Sequence, residues 1–514
     1  MKKQLLFIVI MMMPFKALYA SVNIAGINYN LNSSSKTAEV ARWKTGQKYA
    51  GDIVIPSTVT RNDVEYNVTS IAGSAFSRCP ELTSITIPKS VATIGNNVLG
   101  ECTGLASIVV EEGNPNYDSR KNCNALIETA SNKLICGCNG STIPNGIMTI
   151  GQNAFKGCAG LTSVIIPNSV TTIGEDAFNN CTGLTFISIG TGLVNIPYYL
   201  FEGCENLKTI EINNNIVVSK NYSTEEANAG SLFSSPANEC HIILGEDVTS
   251  IGDYAFYGSH ITSVKMSDNV TSIGNYAFHG CLITSVELSN NLTYIGKWAF
   301  TSCPYLLSVT IPESVRCIDQ IAFYWCDRLT KVIINSNEVV ARENEQFYTL
   351  RSCFGPQVKE FVFGEDVRKI AWIACSESEK LTTVTISSNL TCVEDSAFHK
   401  CTSIADVYCY AEQVPETGKD VFVDSNYKSA TLHVPANAVE AYKSAEQWKD
   451  FGSIVALSDD DPRPTPTAIS AMDYAPKTAN KAIYDLQGHQ LAQPKKGLNI
   501  IKMSDGTTKK VVVK

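Results

Sequence analysis

The stretch VTSIAGSAFSRCPELTSITIPKS at residues 68–90 returns with small changes as VTTIGEDAFNNCTGLTFISIGTG at residues 170–192. Equivalent starts fall at Val68, Val91, Ile147, Val170, Leu193, Val248, Val270, Leu292, Val315, Val367 and Leu390, eleven copies with a usual spacing of 22 or 23 residues. A unit this short cannot bury its own apolar face, so a fixed period of this size implies a solenoid in which each coil packs on its neighbours. The chain has 514 residues, 44% of them hydrophobic, and is expected to be folded and made of several parts.

Within the first copy Ile71, Ala75, Cys79 and Leu82 recur at steps of three and four, which predicts a short helical segment with one face inward. Ile85 and Ile87 alternate with Ser84 and Thr86, the pattern of one short strand per coil, and Pro88 ends it. The fold class that follows is an α/β repeat solenoid over residues 68–410. A phenylalanine stands at one place in nine copies, among them Phe76, Phe155, Phe178, Phe256 and Phe398, after alanine in eight and after Leu200 in the ninth. Three longer gaps, at residues 111–146, 213–247 and 335–366, read as atypical coils, giving about fourteen rungs.

Nine copies carry cysteine at one place: Cys79, Cys102, Cys158, Cys181, Cys204, Cys281, Cys303, Cys326 and Cys401, with Ser259 and Ser378 in the other two. Stacked coils hold equivalent residues about 4.8 Å apart, whereas the Cβ atoms of a disulfide lie about 3.5–4.5 Å apart. An odd number also cannot pair within itself. The spacing favours a structural column of small buried thiols over a disulfide or metal ladder.

Lys2 and Lys3, the apolar run Leu5–Met13 and the small-residue end ALYA mark residues 1–20 as a signal peptide, with mature protein starting near Ser21. No later run of 18 apolar residues predicts a transmembrane segment. Asp and Glu outnumber Lys and Arg 50 to 41, with no basic block, which argues against nucleic acid. Residues 458–467, SDDDPRPTPT, are a charged, proline-containing linker, and SDG in the tail at residues 468–514 is a hairpin signal between strand-like runs.

There is no GxSxG, no HExxH and no phosphate loop, so neither catalytic residues nor a cofactor are implied, and the expectation is a non-enzyme. His241, His260, His279, His399, His433 and His489 form no paired motif, and Cys136 and Cys138 lack further ligands for a metal. The place before the Ala-Phe pair changes along the chain: Ser74, Asn97, Asn153 and Asp176 give way to Tyr199, Tyr254, Tyr276 and Trp298. These four rings, with Tyr257 and Tyr324 nearby, are the candidate binding stripe; the alternative is that each lies flat on the neighbouring coil and covers it.

VTSIGNYAFHGCLITSVELSNN and its copies resemble the leucine-rich repeats of the BspA-like family of bacterial surface proteins. INYNLNSSSKTAEVA with YAGDIVIPSTV resembles that family's N-terminal cap, here residues 21–67, GNPNYDSRKNCNALIETASNKLICGC its long insertion, and TLHVPANAVEAYKSAEQWKDF its terminal cap, here residues 411–457. The tail resembles the C-terminal sorting domains of type IX secretion in Bacteroidetes; a small β appendage without a sorting role is the alternative. The resemblance implies a secreted or cell-surface, adhesin-like protein that meets host extracellular-matrix or mucosal glycoproteins, or other bacterial surfaces. A glycan-capturing module for nutrient uptake is a second expectation and a glycan or peptide hydrolase a remote third.

Overall fold

A computed structural model describes residues 21–43, 48–197, 200–223, 240–342 and 348–464, and the backbone of four strands between residues 480 and 513. The segment read as a signal peptide, residues 1–20, and Tyr199 lie outside the described residues. The chain winds into a β-solenoid of about 16 turns with few helices.

Each regular coil contributes two parallel strands where the sequence pattern gave one. The longer strands, such as Ser163–Ile166, Phe186–Ile189 and Thr209–Ile212, pair in register, so that Val164 meets Ile187 and Ile187 meets Ile210. They build sheets of three, six and seven strands along one side of the solenoid. The second set has two residues per strand, as in Ser250–Ile251, Ser272–Ile273, Tyr294–Ile295 and Cys317–Ile318. Two residues are too few to display alternation, which is why only the longer set was legible.

The segment expected to be helical is instead a run of turns. Its N–H groups alternate in direction: Tyr276 N–H and Phe278 N–H donate forward to Lys297 O and Ala299 O of the next coil, while His279 N–H returns to Tyr276 O and Cys281 N–H to Phe278 O. A helix would send every N–H back four residues. Spacings of three and four suit both arrangements, and the apolar pattern alone does not separate them. The glycine after the second strand lets coils approach closely: a Cβ on Gly174 would lie 2.4 Å from Gln152 N.

In-register pairing puts like residues on top of one another. Phe256, Phe278, Phe300 and Phe323 are buried and stacked, with centroids 5.1, 5.0 and 4.9 Å apart in turn. All nine recurrent cysteines are buried thiols. In six coils the thiol donates to the carbonyl of the phenylalanine one coil earlier, for example Cys102 to Phe76 at 3.0 Å, Cys181 to Phe155 at 3.1 Å and Cys281 to Phe256 at 3.1 Å. Burial pushes Cys102, Cys281 and Cys401 up to about 12. Ser378, in the same column, has a buried hydroxyl without a partner among the described residues.

The long gaps return to the ladder. The first forms an antiparallel hairpin of Leu126–Glu128 and Lys133–Cys136, whose second strand pairs parallel with Thr149–Ile150. The other two re-enter through Cys240–Leu244 and Glu360–Phe363, which pair with the preceding long strands.

Both ends of the stack are covered. At the N-terminus, Thr37–Val40 pairs parallel with Val64–Ile71 and Gly51–Val54 with Leu82–Ile87, starting both ladders, while the Tyr49 ring sits 4.7 Å from Phe76 at the head of the phenylalanine column. At the C-terminus Phe422 extends that column from Phe398 at 5.4 Å, and Trp448 and Phe451 then meet Phe422 edge-on. Thr431–Val434 and Ser453–Ala456 complete the seven-stranded sheet, so the ladder runs on through residues 411–457 without a break. In the tail, Gly497–Met503 and Thr508–Val513 pair antiparallel on either side of the SDG turn signal.

Two outcomes follow. Trp448 is 1% exposed and its Nε1–H donates to Pro415 O at 3.1 Å, so Trp448→Ala should cost about 3–5 kcal/mol and lower the melting temperature; an unchanged melt would overturn this account of the cap. Because all nine are buried and closed to reagent, the column cysteines should resist iodoacetamide in native protein and react fully in denaturant, read by mass spectrometry. Rapid labelling of Cys281 in the native state would contradict that.

Candidate functional site: an aromatic ladder and the cleft at its end

The position before each Ala-Phe pair has a left-handed backbone. Ser74, Asn97, Asn153 and Asp176 adopt it at φ 56°, 55°, 57° and 55°. Serine, asparagine and aspartate are suited to such a place, because a short polar side chain tolerates left-handed geometry. Tyr254, Tyr276 and Trp298 occupy the same position at φ 58°, 56° and 63°. For large side chains the left-handed region costs roughly 1–2 kcal/mol per residue. Something must offset that strain in three successive coils.

Stacking is the visible offset. Tyr254 and Tyr276 lie 4.8 Å apart at 4° between planes, and Tyr276 and Trp298 lie 5.7 Å apart, also at 4°. A second, shorter column stands beside the first: Tyr257 and His279 stack at 5.0 Å and 10°, and each touches the ring of its own coil, Tyr254 or Tyr276. Burial holds His279 below its ordinary value, so a neutral imidazole fills this place. The rings are half-buried. The faces of Tyr254 and Tyr276 thus lie against neighbouring rings, as the covering alternative expected, and both side chains keep part of their surface exposed. Tyr199 falls outside the described residues.

The stack stops at Trp298, because the next coil has Ile321 at the left-handed position. Trp325 stands there instead, 5.7 Å from Trp298 but tilted by 51°, with Tyr324 edge-on to it at 5.6 Å. A cleft of about 590 Å³ opens at this corner, lined by Trp298, Tyr324 and Trp325 and by Arg351, Ser376 and Glu377 among others. Trp325 is 54% exposed. Arg351 belongs to the short helix Leu350–Phe354 of an atypical coil, capped by Thr349, so no repeat position foretold it. Trp325 had a signal in the sequence, an aromatic ring where the other coils carry glycine, asparagine, serine or a charged residue before the column cysteine or serine.

Elsewhere the sequence-selected groups are dispersed. Cys138 Sγ donates to Asn124 O at 3.2 Å, and no group of three or more metal-binding side chains is gathered among the described residues. His433 lies 3.2 Å from Asp406 and stacks on Tyr408 at 4.3 Å. Ser376, His399 and Asp424 fall in a row at 3.3 Å and 3.6 Å, with Ser376, 6% exposed, in the wall of the cleft. Among the described residues no helix is long and apolar enough to cross a membrane.

The chain is similar over 85% of its length to the whole of a leucine-rich repeat protein from Bacteroides ovatus, at 22% identity and a TM-score of 0.38. It is similar over 86% of its length to 95% of a leucine rich cell surface protein from Faecalibacterium prausnitzii, at 20% identity and a TM-score of 0.27. The pneumococcal vaccine antigen PcpA is matched over 99% of its chain and 86% of this one, at 16% identity and a TM-score of 0.30. No curated protein matches the sequence. The model of the BspA type leucine rich repeat region matches residues 57–132, 127–231, 229–353 and 350–445, well over half of the chain. With repeat, register and match in agreement, the chain belongs to the BspA-type leucine-rich repeat family.

Proposed function

We propose that the chain is an exported, cell-surface or released binding protein of adhesin-like character, and not an enzyme, that recognises host or microbial macromolecules through the turn face carrying the aromatic ladder. On this reading residues 1–20 direct export and residues 468–514 serve sorting. The observation that carries it is the run Tyr254, Tyr276 and Trp298 at φ 58°, 56° and 63°. Small residues hold the same backbone in the early coils at no such cost, so solenoid stability alone gives no reason to place large rings there. Strained positions persist where the side chain is put to use. Rigid rings with polar edges lose little entropy on binding and make effective protein and glycan contacts. The aromatic corner at Trp298 and Trp325 also keeps the glycan-capturing reading open, and retention on polysaccharide gels without retention on matrix proteins would favour it.

Asparagine is the apt replacement, because it removes the ring and relieves the backbone. The double variant Tyr276→Asn, Trp298→Asn should keep its melting temperature within a few degrees while losing capture of matrix glycoproteins, mucin or bacterial envelopes in a pull-down. Retained capture with a markedly lower melt would mean that the rings only pack. The converse exchange Asn153→Tyr, which puts a ring at φ 57° without an aromatic ladder beside it, should destabilise by roughly 1–2 kcal/mol.

A further inference from the structure

We propose that the cleft beyond Trp298 is a subsite for one acidic sugar residue, a pyranose ring bearing a carboxylate, with its apolar face on the Trp298–Trp325 corner and its carboxylate on Arg351. The proposal rests on the reading that this face binds ligands. Along the ladder, stacking uses up ring faces: Tyr276 is covered on one side by Tyr254 at 4.8 Å and on the other by Trp298 at 5.7 Å. At Trp298 the parallel stack ends, and the next indole is turned by 51°. Two aromatic planes meeting at such an angle form a corner suited to the C–H face of a sugar. The volume, about 590 Å³, is in the range of small-ligand sites and ample for one or two sugar rings.

Charge narrows the class. Arg351 carries a fork of N–H donors, yet its Nε is buried without a partner, and its nearest anion is Glu377 at 3.7 Å, beyond hydrogen-bond distance. Glu377 is itself shared with Lys400, also at 3.7 Å. Two cations thus face one carboxylate, and the guanidinium is held by no strong polar contact. A planar guanidinium in this state matches a carboxylate, which it can bind through two parallel hydrogen bonds. A neutral sugar would use the aromatic corner and leave Arg351 unmatched. An acidic peptide would satisfy Arg351 and leave the corner unused. A carboxylated sugar engages both, with Gln320 and Glu377 on the lining for its hydroxyl groups.

Calorimetry and saturation-transfer NMR on the full chain test this with sialyllactose, a glucuronate-ended disaccharide, lactose and a short acidic peptide. At least one acidic sugar should bind about tenfold or more tightly than lactose, and more weakly as salt is raised. Which of the two binds identifies the ring. Arg351→Met and Trp325→Asn should each weaken that binding about tenfold or more with melting temperatures preserved, while Lys89→Met, a remote exposed cation, should not. Equal binding of lactose, binding of the peptide alone, insensitivity to Arg351→Met, or no binding by any probe would overturn the inference. Macromolecule capture by the Tyr276→Asn, Trp298→Asn variant is read separately: ladder-dependent capture without acidic-sugar binding sinks the subsite and leaves the ladder standing, and the reverse result sinks the ladder alone.

Discussion

Each turn of this protein closes much of its backbone hydrogen bonding on the next turn rather than on itself. The forward bonds from Tyr276 to Lys297 and from Phe278 to Ala299 are representative, as is the strand register that sets Ile273 beside Ile295. Once that constraint holds, side chains at equal positions must stack, because a shift of one residue would turn apolar groups to the opposite face. Columns of phenylalanine, cysteine and glycine are the result. So is the need for caps, since a terminal coil would otherwise present unpaired N–H and C=O groups together with an apolar end.

The same constraint dictates backbone shape between the strands. To send alternate N–H groups forward, the turn segment takes left-handed geometry twice per coil, as at Tyr254 and Gly258 or Asn153 and Gly157. Glycine or asparagine meets this at little cost. The thiol column helps by a different route: buried cysteines fill space like small apolar groups and still give a weak donor to the carbonyl above, as Cys326 does to Phe300 at 3.1 Å. A serine in that column must find a partner for a stronger polar group, and Ser378 shows a case where it does not.

Most of this was legible because periodic burial leaves a periodic sequence. The eleven repeat starts, the Phe and Cys columns and the solenoid itself follow from spacing. Less visible were features without a period of their own. Two-residue strands such as Ser272–Ile273 carry no alternation, and a turn with three-and-four spacing imitates one helical face. That Ser74, Asn97, Asn153 and Asp176 share a left-handed backbone with Tyr254 and Trp298 was not read from the sequence, because the larger rings at the same place hide the preference. The ladder was readable as a change of residue type.

The cleft was least legible, for a reason general to repeat folds. Regularity produces flat, self-covered surfaces: each ring of a perfect ladder hides its face against the next. A concave site needs an interruption. Here Ile321 takes the ladder position, Trp325 moves an indole to the place just before Cys326, and the atypical coil brings Arg351 in on the helix Leu350–Phe354. These three departures come from two adjoining coils and meet in one cavity. The repeat supplies the rigid frame that fixes their relative positions, while chemistry able to discriminate among ligands arises where the repeat is broken.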